Sequence, residues 1–375
     1  MKAAIKLSFL TILCIIYWNP LLAQRFNVSY SSASQNTFSG NVFLYLSKEN
    51  RNPKDGNVFI ESFPCYRIEV KKIKPDQSVI FNDDAVSYPV TLSNIERGAY
   101  YVQAVWDNNS GGRQISLTPG NIYNHTIKVN LTLNRDQVFS ISCKEVIPEP
   151  VFEETEFCKE FKIQSKSLTA FHGKNISLNA AVLLPKEYYK QPNRNFPVLY
   201  CILGYGADYH MFSGDFLKNS PHYRIFYDDS HASLPIDTTA CIRVILDGNC
   251  PLGHSVYANS ENNGPWGNAL VNEFIPVLGE KYRCNSARLL TGHSSGGWSV
   301  LWLQTQFPKE FMACWSSSPD PVDFSSFINV KLYEDKNIYY DNDSVLRILG
   351  TIEGYIPWYT IKMKYQMENV VSRGE

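Results

Sequence analysis

The chain changes from strand-like to helix-like sequence at Leu289–Trp298, which reads LLTGHSSGGW and contains the pattern G-x-S-x-G. The pattern alone is common in ordinary turns, but here an apolar run precedes it and a helix-like run, 298–306, follows it. This context predicts a sharp strand-to-helix turn that holds the Ser294 hydroxyl clear of a sheet, where it can act as a nucleophile. Gly292 and Gly296 lack Cβ atoms, so the strand and the helix can approach closely.

Two backbone N–H groups are candidate donors to an oxyanion beside Ser294. The N–H of Ser295 lies at the predicted helix N-terminus and points where negative charge would form. Gly204-Tyr205-Gly206 follows an apolar strand, 197–203, and can present a second N–H, from Tyr205 or Gly206. We expect Tyr205 and Ser295 to form the oxyanion hole, although a plain strand-exit turn would have the same sequence.

The order of the histidines does not fit this chemistry. With such a turn the chain order is Ser, then Asp or Glu, then His. All seven histidines precede Ser294; they are His125, His172, His210, His222, His231, His254 and His293. The side chain of His293 should point away from the serine hydroxyl. His210 and His254 follow strand ends, so they are the in-chain candidates for the base.

The catalytic acid is equally open. Asp320 and Glu353 follow strand-like runs, but both also fit ordinary loop carboxylates. Between Ser294 and the last residue there are 375 − 294 = 81 residues. We expect that the acid and base lie past Glu375 in a longer protein; the alternative is a complete but non-catalytic homologue.

The N-terminus predicts export. Lys2 and Lys6 precede the apolar run Leu7–Trp18, which is too short to span a bilayer comfortably, and cleavage after Ala23 fits a signal peptide covering residues 1–23. We therefore expect a secreted or periplasmic protein without a stable membrane anchor. The net charge of −1 argues against nucleic acid or an anionic membrane surface as partner.

Eight cysteines follow the predicted signal peptide. Cys201, Cys241 and Cys314 lie in apolar strand-like runs, where buried free thiols are expected. The pairs Cys143–Cys158 and Cys250–Cys284 are possible disulfides that the sequence leaves open. Because no cluster has zinc spacing, we expect no structural metal, and the proposed chemistry requires no cofactor.

Two kinds of sequence divide the chain. Residues 24–150 contain short strand-like runs between turn-rich pieces, which predicts a small all-β sandwich. An acidic, proline-containing stretch, 145–156, is interpreted as a linker. In residues 151–375 strands alternate with helices, which predicts an α/β domain with a mainly parallel sheet. The ends of its strands after Leu203, Leu246, Thr291 and Trp315 should converge.

The motifs of residues 165–325 resemble the putative-esterase family of α/β-hydrolases, which includes enterochelin-esterase-like and feruloyl-esterase-like proteins. The resemblance rests on five segments: LGYG at 203–206, the strand ending at Asp247, EFIP at 273–276, GHSSGG at 292–297 and SSPD at 317–320. It implies an α/β-hydrolase fold and a serine carboxylic-ester hydrolase, with Ser294 as nucleophile and Tyr205 and Ser295 as oxyanion donors.

The chain departs from the family pattern because no His follows Ser294. We expect a small-molecule or glycan-linked ester as substrate, while the identity of the ester and the oligomeric state are open. The alternatives are a binding module built on an inert or truncated esterase, and an acyltransferase that uses the same turn.

Overall fold

The computed structural model describes residues 24–31, 37–56, 63–108, 115–132, 137–214, 240–250, 253–323, 325–327, 330–341, 344–352, 356–360 and 367–371. The predicted signal peptide, His222, His231 and Glu353 lie outside these residues. No helix in these ranges is both long and apolar enough to cross a bilayer.

The described part of residues 24–150 is built from short strands and two 3₁₀ turns, Pro53–Asp55 and Leu92–Asn94. The strands are β1 (Arg25–Tyr30), β2 (Phe38–Ser47), β3 (Cys65–Ile73), β4 (Val79–Phe81), β5 (Val86–Tyr88), β6 (Gly98–Asp107), β7 (Ile122–Tyr123), β8 (Ile127–Leu131), β9 (Val138–Cys143) and β10 (Glu145–Val146). One sheet has the order β4-β1-β9. The other has the order β10-β7-β6-β2-β3-β5, with β8 paired to β6.

Residues from both sheets share one apolar cluster. Trp106 on β6 is fully buried and contacts Tyr30 on β1 and Phe38 on β2, with ring centroids 4.8 and 5.1 Å apart. Large aromatic side chains bury much apolar surface, so this cluster is the main stabilising contact between the sheets. The predicted linker begins later than expected, because Glu145 and Val146 pair with β7.

The remaining strands build one larger sheet and four small hairpins. They are β11 (Cys158–Gln164), β12 (Ser177–Leu183), β13 (Phe196–Ile202), β14 (Ile242–Leu246), β15 (Asn249–Cys250), β16 (Gly253–His254), β17 (Asn259–Ser260), β18 (Gly264–Pro265), β19 (Cys284–His293), β20 (Ala313–Ser317), β21 (Ser326–Phe327), β22 (Val330–Lys331), β23 (Ile348–Ile352) and β24 (Ile356–Thr360). The six-stranded sheet has the order β11-β12-β14-β13-β19-β20.

Four neighbouring strands of this sheet, β14, β13, β19 and β20, are parallel, whereas β11 and β12 pair antiparallel. The helices are α1 (Lys166–His172), α2 (Glu187–Lys190), α3 (Trp266–Ala269), α4 (Ile275–Lys281) and α5 (Ser295–Gln306). A π-helical segment, Leu270–Phe274, joins α3 to α4, and another spans Met367–Val371. The predicted α/β architecture is present, and the carboxyl ends of the parallel strands lie at one edge.

The two faces of this sheet are covered unequally. Along β13, Phe196, Val198, Tyr200 and Ile202 are buried in the main apolar cluster, while the residues between them are partly exposed. The near-continuous apolar sequence of β13 predicts a strand covered on both faces; in the described residues its second face is only partly covered, by the smaller apolar cluster against which Cys201 packs. Cys201 and Cys241 are accordingly half-buried, as is Cys314 on β20.

The structure bears on the two cysteine pairs that the sequence leaves open. Cys143, Cys158 and Cys284 are free thiols. Cys143 and Cys158 belong to different apolar clusters, and Cys158 donates its S–H to the carbonyl of Phe212, 3.2 Å away. Neither of the two disulfides left open by the sequence is therefore formed.

Candidate active site

Ser294 occupies the turn between β19 and α5. Its backbone has φ 57° and ψ −124°, in a region that residues with a side chain rarely adopt. The backbone N–H of Ser294 donates to the carbonyl of Ser317 at the end of β20, 3.0 Å away. Its side chain is half-buried rather than enclosed. The turn thus presents a hydroxyl at the carboxyl edge of the sheet in a strained, fixed conformation.

The glycines around Ser294 are required by close backbone contacts. A Cβ on Gly296 would lie 2.0 Å from the carbonyl oxygen of Ile202, the last residue of β13. A Cβ on Gly292 would lie 2.1 Å from the carbonyl oxygen of Gly296. Real Cβ atoms do not approach this closely, so any side chain would push α5 away from β13 and β19. The G-x-S-x-G spacing is therefore a packing requirement of this turn.

The loop after β13 lies against Ser294. A Cβ on Gly204 would lie 3.2 Å from Ser294 Cβ and 3.8 Å from its Oγ. The loop turns back on itself, since the N–H of Ala207 donates to the carbonyl of Gly204, 3.1 Å away. Tyr205, a predicted oxyanion donor, is the next residue in this loop and is 40% exposed. Ser295, the other predicted donor, is the first residue of α5.

No described histidine forms a hydrogen bond with Ser294. His293 points to the neighbouring strand, where its Nδ1 lies 3.2 Å from Ser317 Oγ. This is the direction expected for the residue before the serine. His210 pairs with Asp208, with 2.7 Å between Nδ1 and the carboxylate oxygen, and its ring lies against that of Tyr209 at an angle of 41°.

His254 is held by two backbone partners, one of which belongs to the loop that packs on Ser294. Its Nδ1 accepts the N–H of Val256 at 2.9 Å, and its Nε2 lies 3.1 Å from the carbonyl of Leu203, the residue before Gly204. Burial lowers the pKa of His254 below its ordinary 6.5, while the hydrogen bond to Leu203 and the charge of Asp320 oppose the shift. Both ring nitrogens are engaged by the backbone, so the ring is not placed as the base of Ser294.

The two carboxylates near this edge differ in surroundings. Asp320 is half-buried and near enough to influence the pKa of His254. Asp247, at the end of β14, has a pKa raised by burial and by the charge of Asp208, although Asn249 and Asn179 donate hydrogen bonds to it. Neither has a hydrogen bond to a histidine in the described residues.

The part of the chain that contains this turn matches a known protein family. Residues 174–355 match the model of the family described as putative esterase. The resemblance to the putative-esterase family is confirmed. The matched segment includes the turn at Ser294, the loop at Gly204 and the strand ends around them. No match was found among curated proteins.

Solved structures also resemble part of the chain. A ferulic acid esterase is 21% identical over 45% of this chain and 61% of its own, with a TM-score of 0.36. An S-formylglutathione hydrolase from Agrobacterium tumefaciens is 18% identical over 44% of this chain and 59% of its own, with a TM-score of 0.32. A ferulic acid esterase from Anaeromyces mucronatus is 21% identical over 46% of this chain and 62% of its own, with a TM-score of 0.28. The chain thus spans about three fifths of the length of these structures.

Sequence reasoning missed three residues that shape this edge. Tyr257 is fully buried and donates its O–H to the carbonyl of Asp247, 2.6 Å away. Gly248 has no side chain because a Cβ there would lie 2.1 Å from His254 Nε2. Glu273 accepts the N–H groups of Lys166 and Ser167 and so caps α1. For Tyr257 and Gly248, the sequence offers one indication, the Asp247-Gly248 pair directly after an apolar strand.

Proposed function

We propose that this protein is a serine carboxylic-ester hydrolase whose nucleophile is Ser294. The observation that carries the proposal is the positive φ of Ser294 at a strand-to-helix turn, with the loop of Gly204 packed against it. The match of residues 174–355 to the putative esterases supports the reaction class. Strained backbone at a polar residue is typical of functional sites.

In the proposed reaction the Ser294 hydroxyl attacks the ester carbonyl and gives its proton to a general base. The oxyanion accepts hydrogen bonds from the backbone N–H groups of Ser295 and Tyr205. Together these stabilise the transition state by about 3 kcal/mol or more. The alcohol leaves with a proton, and water then releases the acid from the acyl-enzyme. The described residues place no base on Ser294, so the assay should use the protein made from its complete reading frame.

Site-directed variants at adjacent serines test the proposal. The experiment measures hydrolysis of 4-nitrophenyl esters and covalent labelling by a fluorophosphonate, with the labelled peptide located by mass spectrometry. Ser294→Ala should abolish both signals. Ser295→Ala is the matched control, because it keeps the backbone N–H and should keep both. The proposal is wrong if Ser294→Ala hydrolyses the esters as well as the unaltered protein, or if that protein shows neither hydrolysis nor labelling.

We further propose export and a two-domain organisation. Residues 1–23 form the signal peptide, residues 24–150 a β-sandwich domain, and residues 151–375 the hydrolase domain, which acts on a small-molecule or glycan-linked ester. The largest apolar cluster of each part contains residues of that part alone, which supports the division, whereas Val370 and Val371 pack in a smaller cluster with residues of the first part. Intact-mass analysis of protein recovered from outside the cytoplasm tests export: the N-terminus should be Gln24, and retention of Met1 would contradict cleavage.

A further inference from the structure

The loop that follows β16 has an unusual backbone. Val256 and Tyr257 both have positive φ, 45° and 48°. Residues with side chains rarely adopt this region, and a β-branched residue such as Val256 is strained there. Such a conformation persists only where surrounding contacts hold it. The contacts of this loop therefore indicate which part of the structure requires the strained backbone.

Two side chains of the loop reach the ends of two parallel strands. His254 Nδ1 accepts the N–H of Val256, so the proton of the neutral ring is on Nε2, which donates to the carbonyl of Leu203 at 3.1 Å. Tyr257 donates to the carbonyl of Asp247 at 2.6 Å. The first bond holds the exit of β13 and the second holds the exit of β14.

The fit of the His254 ring is tight. A Cβ on Gly248 would lie 2.1 Å from Nε2, and the N–H of Ser255 donates to the carbonyl of Gly248, 2.8 Å away. Ser255 is 1% exposed. The ring therefore has one available position, set by Gly248 on one side and by the strained loop on the other.

We propose that His254 is a positioning residue that fixes the loop of Gly204 and Tyr205 against Ser294. The carbonyl of Leu203 belongs to the peptide group that carries the Gly204 N–H, so the hydrogen bond from His254 sets the plane in which the loop leaves β13. Gly204 then packs on Ser294 Cβ, and the Tyr205 N–H follows one residue later. His254 acts through this loop and does not touch the reacting atoms. The catalytic part of this proposal rests on the proposed function.

Three variants separate the hydrogen bond to Leu203 from the bulk of the ring. His254→Gln keeps an N–H donor close to the position of Nε2. His254→Asn keeps an acceptor near Nδ1, but its shorter side chain does not reach Leu203. Gly248→Ala leaves His254 intact and displaces its ring. His125→Gln is the control for the loss of an imidazole, because His125 is 80% exposed on the other part of the chain.

Amide hydrogen exchange tests the positioning without any assay of activity. Losing one hydrogen bond that holds the loop should speed exchange in the peptide covering 203–207 by about tenfold in His254→Asn and Gly248→Ala. Exchange in His254→Gln and His125→Gln should stay close to that of the unaltered protein, as should exchange in β19 of all the variants. Equal protection of 203–207 in His254→Asn and His254→Gln would overturn the proposal.

Kinetics test the catalytic consequence in the same proteins. Misplacing an oxyanion donor should lower kcat for 4-nitrophenyl esters by about tenfold or more in His254→Asn while leaving KM unchanged, with rescue in His254→Gln. A protein that neither hydrolyses esters nor labels at Ser294 would contradict the proposed function, and hydrogen exchange would still decide the positioning role. An equal fall of kcat in the Asn and Gln variants would overturn the catalytic part of the proposal alone.

Discussion

Gly204 and Ser294 are 90 residues apart in the chain (294 − 204) but lie in contact, with 3.2 Å between Ser294 Cβ and the position that a Cβ on Gly204 would take. The same Cβ would lie 3.3 Å from the carbonyl oxygen of His293. These distances are tighter than ordinary van der Waals contacts, so the loop after β13 and the turn after β19 are fitted to each other at this point.

Gly204→Ala should therefore impair the proposed chemistry more than the fold. The added methyl group must move either the loop or Ser294 by a few tenths of an ångström, and misplaced catalytic groups lose about tenfold or more in rate. The measurement is the rate of fluorophosphonate labelling at Ser294, compared with the urea midpoint of the same variant. Labelling at the unaltered rate would show that this contact does not position Ser294.

Gly296→Ala should destabilise the protein. Its Cβ would lie 2.0 Å from the carbonyl oxygen of Ile202, and that backbone cannot give way without separating α5 from β13. Overpacking of this kind costs about 1–3 kcal/mol and sometimes more in the free energy of unfolding. Gly279→Ala on α4 is the matched control, because its Cβ would meet no atom within 4 Å and alanine favours a helix. Urea unfolding followed by tryptophan fluorescence should separate the two, and equal midpoints would refute the packing argument.

The local part of the site could be predicted from the sequence, because it depends on residues that adjoin one another. The pattern around Ser294 predicts the strand, the turn and the helix, and β19 and α5 meet at that residue. The alternation of apolar strands and helices also predicts the parallel sheet. Such periodicity reflects burial of one face of each element, which the sequence records directly.

The rest depends on contacts between distant segments and on backbone conformation. Nothing in the sequence at Val256 or Tyr257 signals two positive φ values, since neither residue favours them. The bond between His254 and Leu203 joins residues 51 positions apart. The unequal cover of the two faces of β13 was also not predicted, because a near-continuous apolar run is typical of a strand covered on both faces.

Glu273→Gln should lower stability and change its dependence on acid. The carboxylate of Glu273 accepts two N–H groups at the start of α1, from Lys166 at 2.7 Å and Ser167 at 3.0 Å. Partial burial raises the pKa of Glu273, but the hydrogen bonds from Ser167 and Lys166 outweigh it and hold the pKa below its ordinary 4.5. Gln keeps one acceptor oxygen, so the variant loses one of the two hydrogen bonds, which costs about 1 kcal/mol at a partly exposed site.

The sign for Glu273 follows from its lowered pKa. Its contribution to the free energy of unfolding is present above pH 4.5 and is lost as the pH falls through the lower pKa of the folded protein. As the pH falls from neutral to below 4.5, the ordinary pKa of this side chain, the unaltered protein should therefore lose more stability than Glu273→Gln does. Parallel unfolding curves of the two proteins across that range would contradict the capping role.

His254 should make stability depend on pH in a higher range. Burial holds the pKa of His254 below 6.5 in the folded protein, despite the opposing hydrogen bond to Leu203 and the charge of Asp320. Below pH 6.5 the unfolded chain then binds more protons at this residue than the folded protein does, so stability is full above 6.5 and falls as the pH drops through the folded pKa. Protonation also adds a proton to Nδ1, which can no longer accept the N–H of Val256. Urea unfolding on either side of pH 6.5 should show a steeper decline for the unaltered protein than for His254→Gln, whose side chain does not titrate. The same decline in both proteins would mean that burial does not hold His254 neutral in the folded protein.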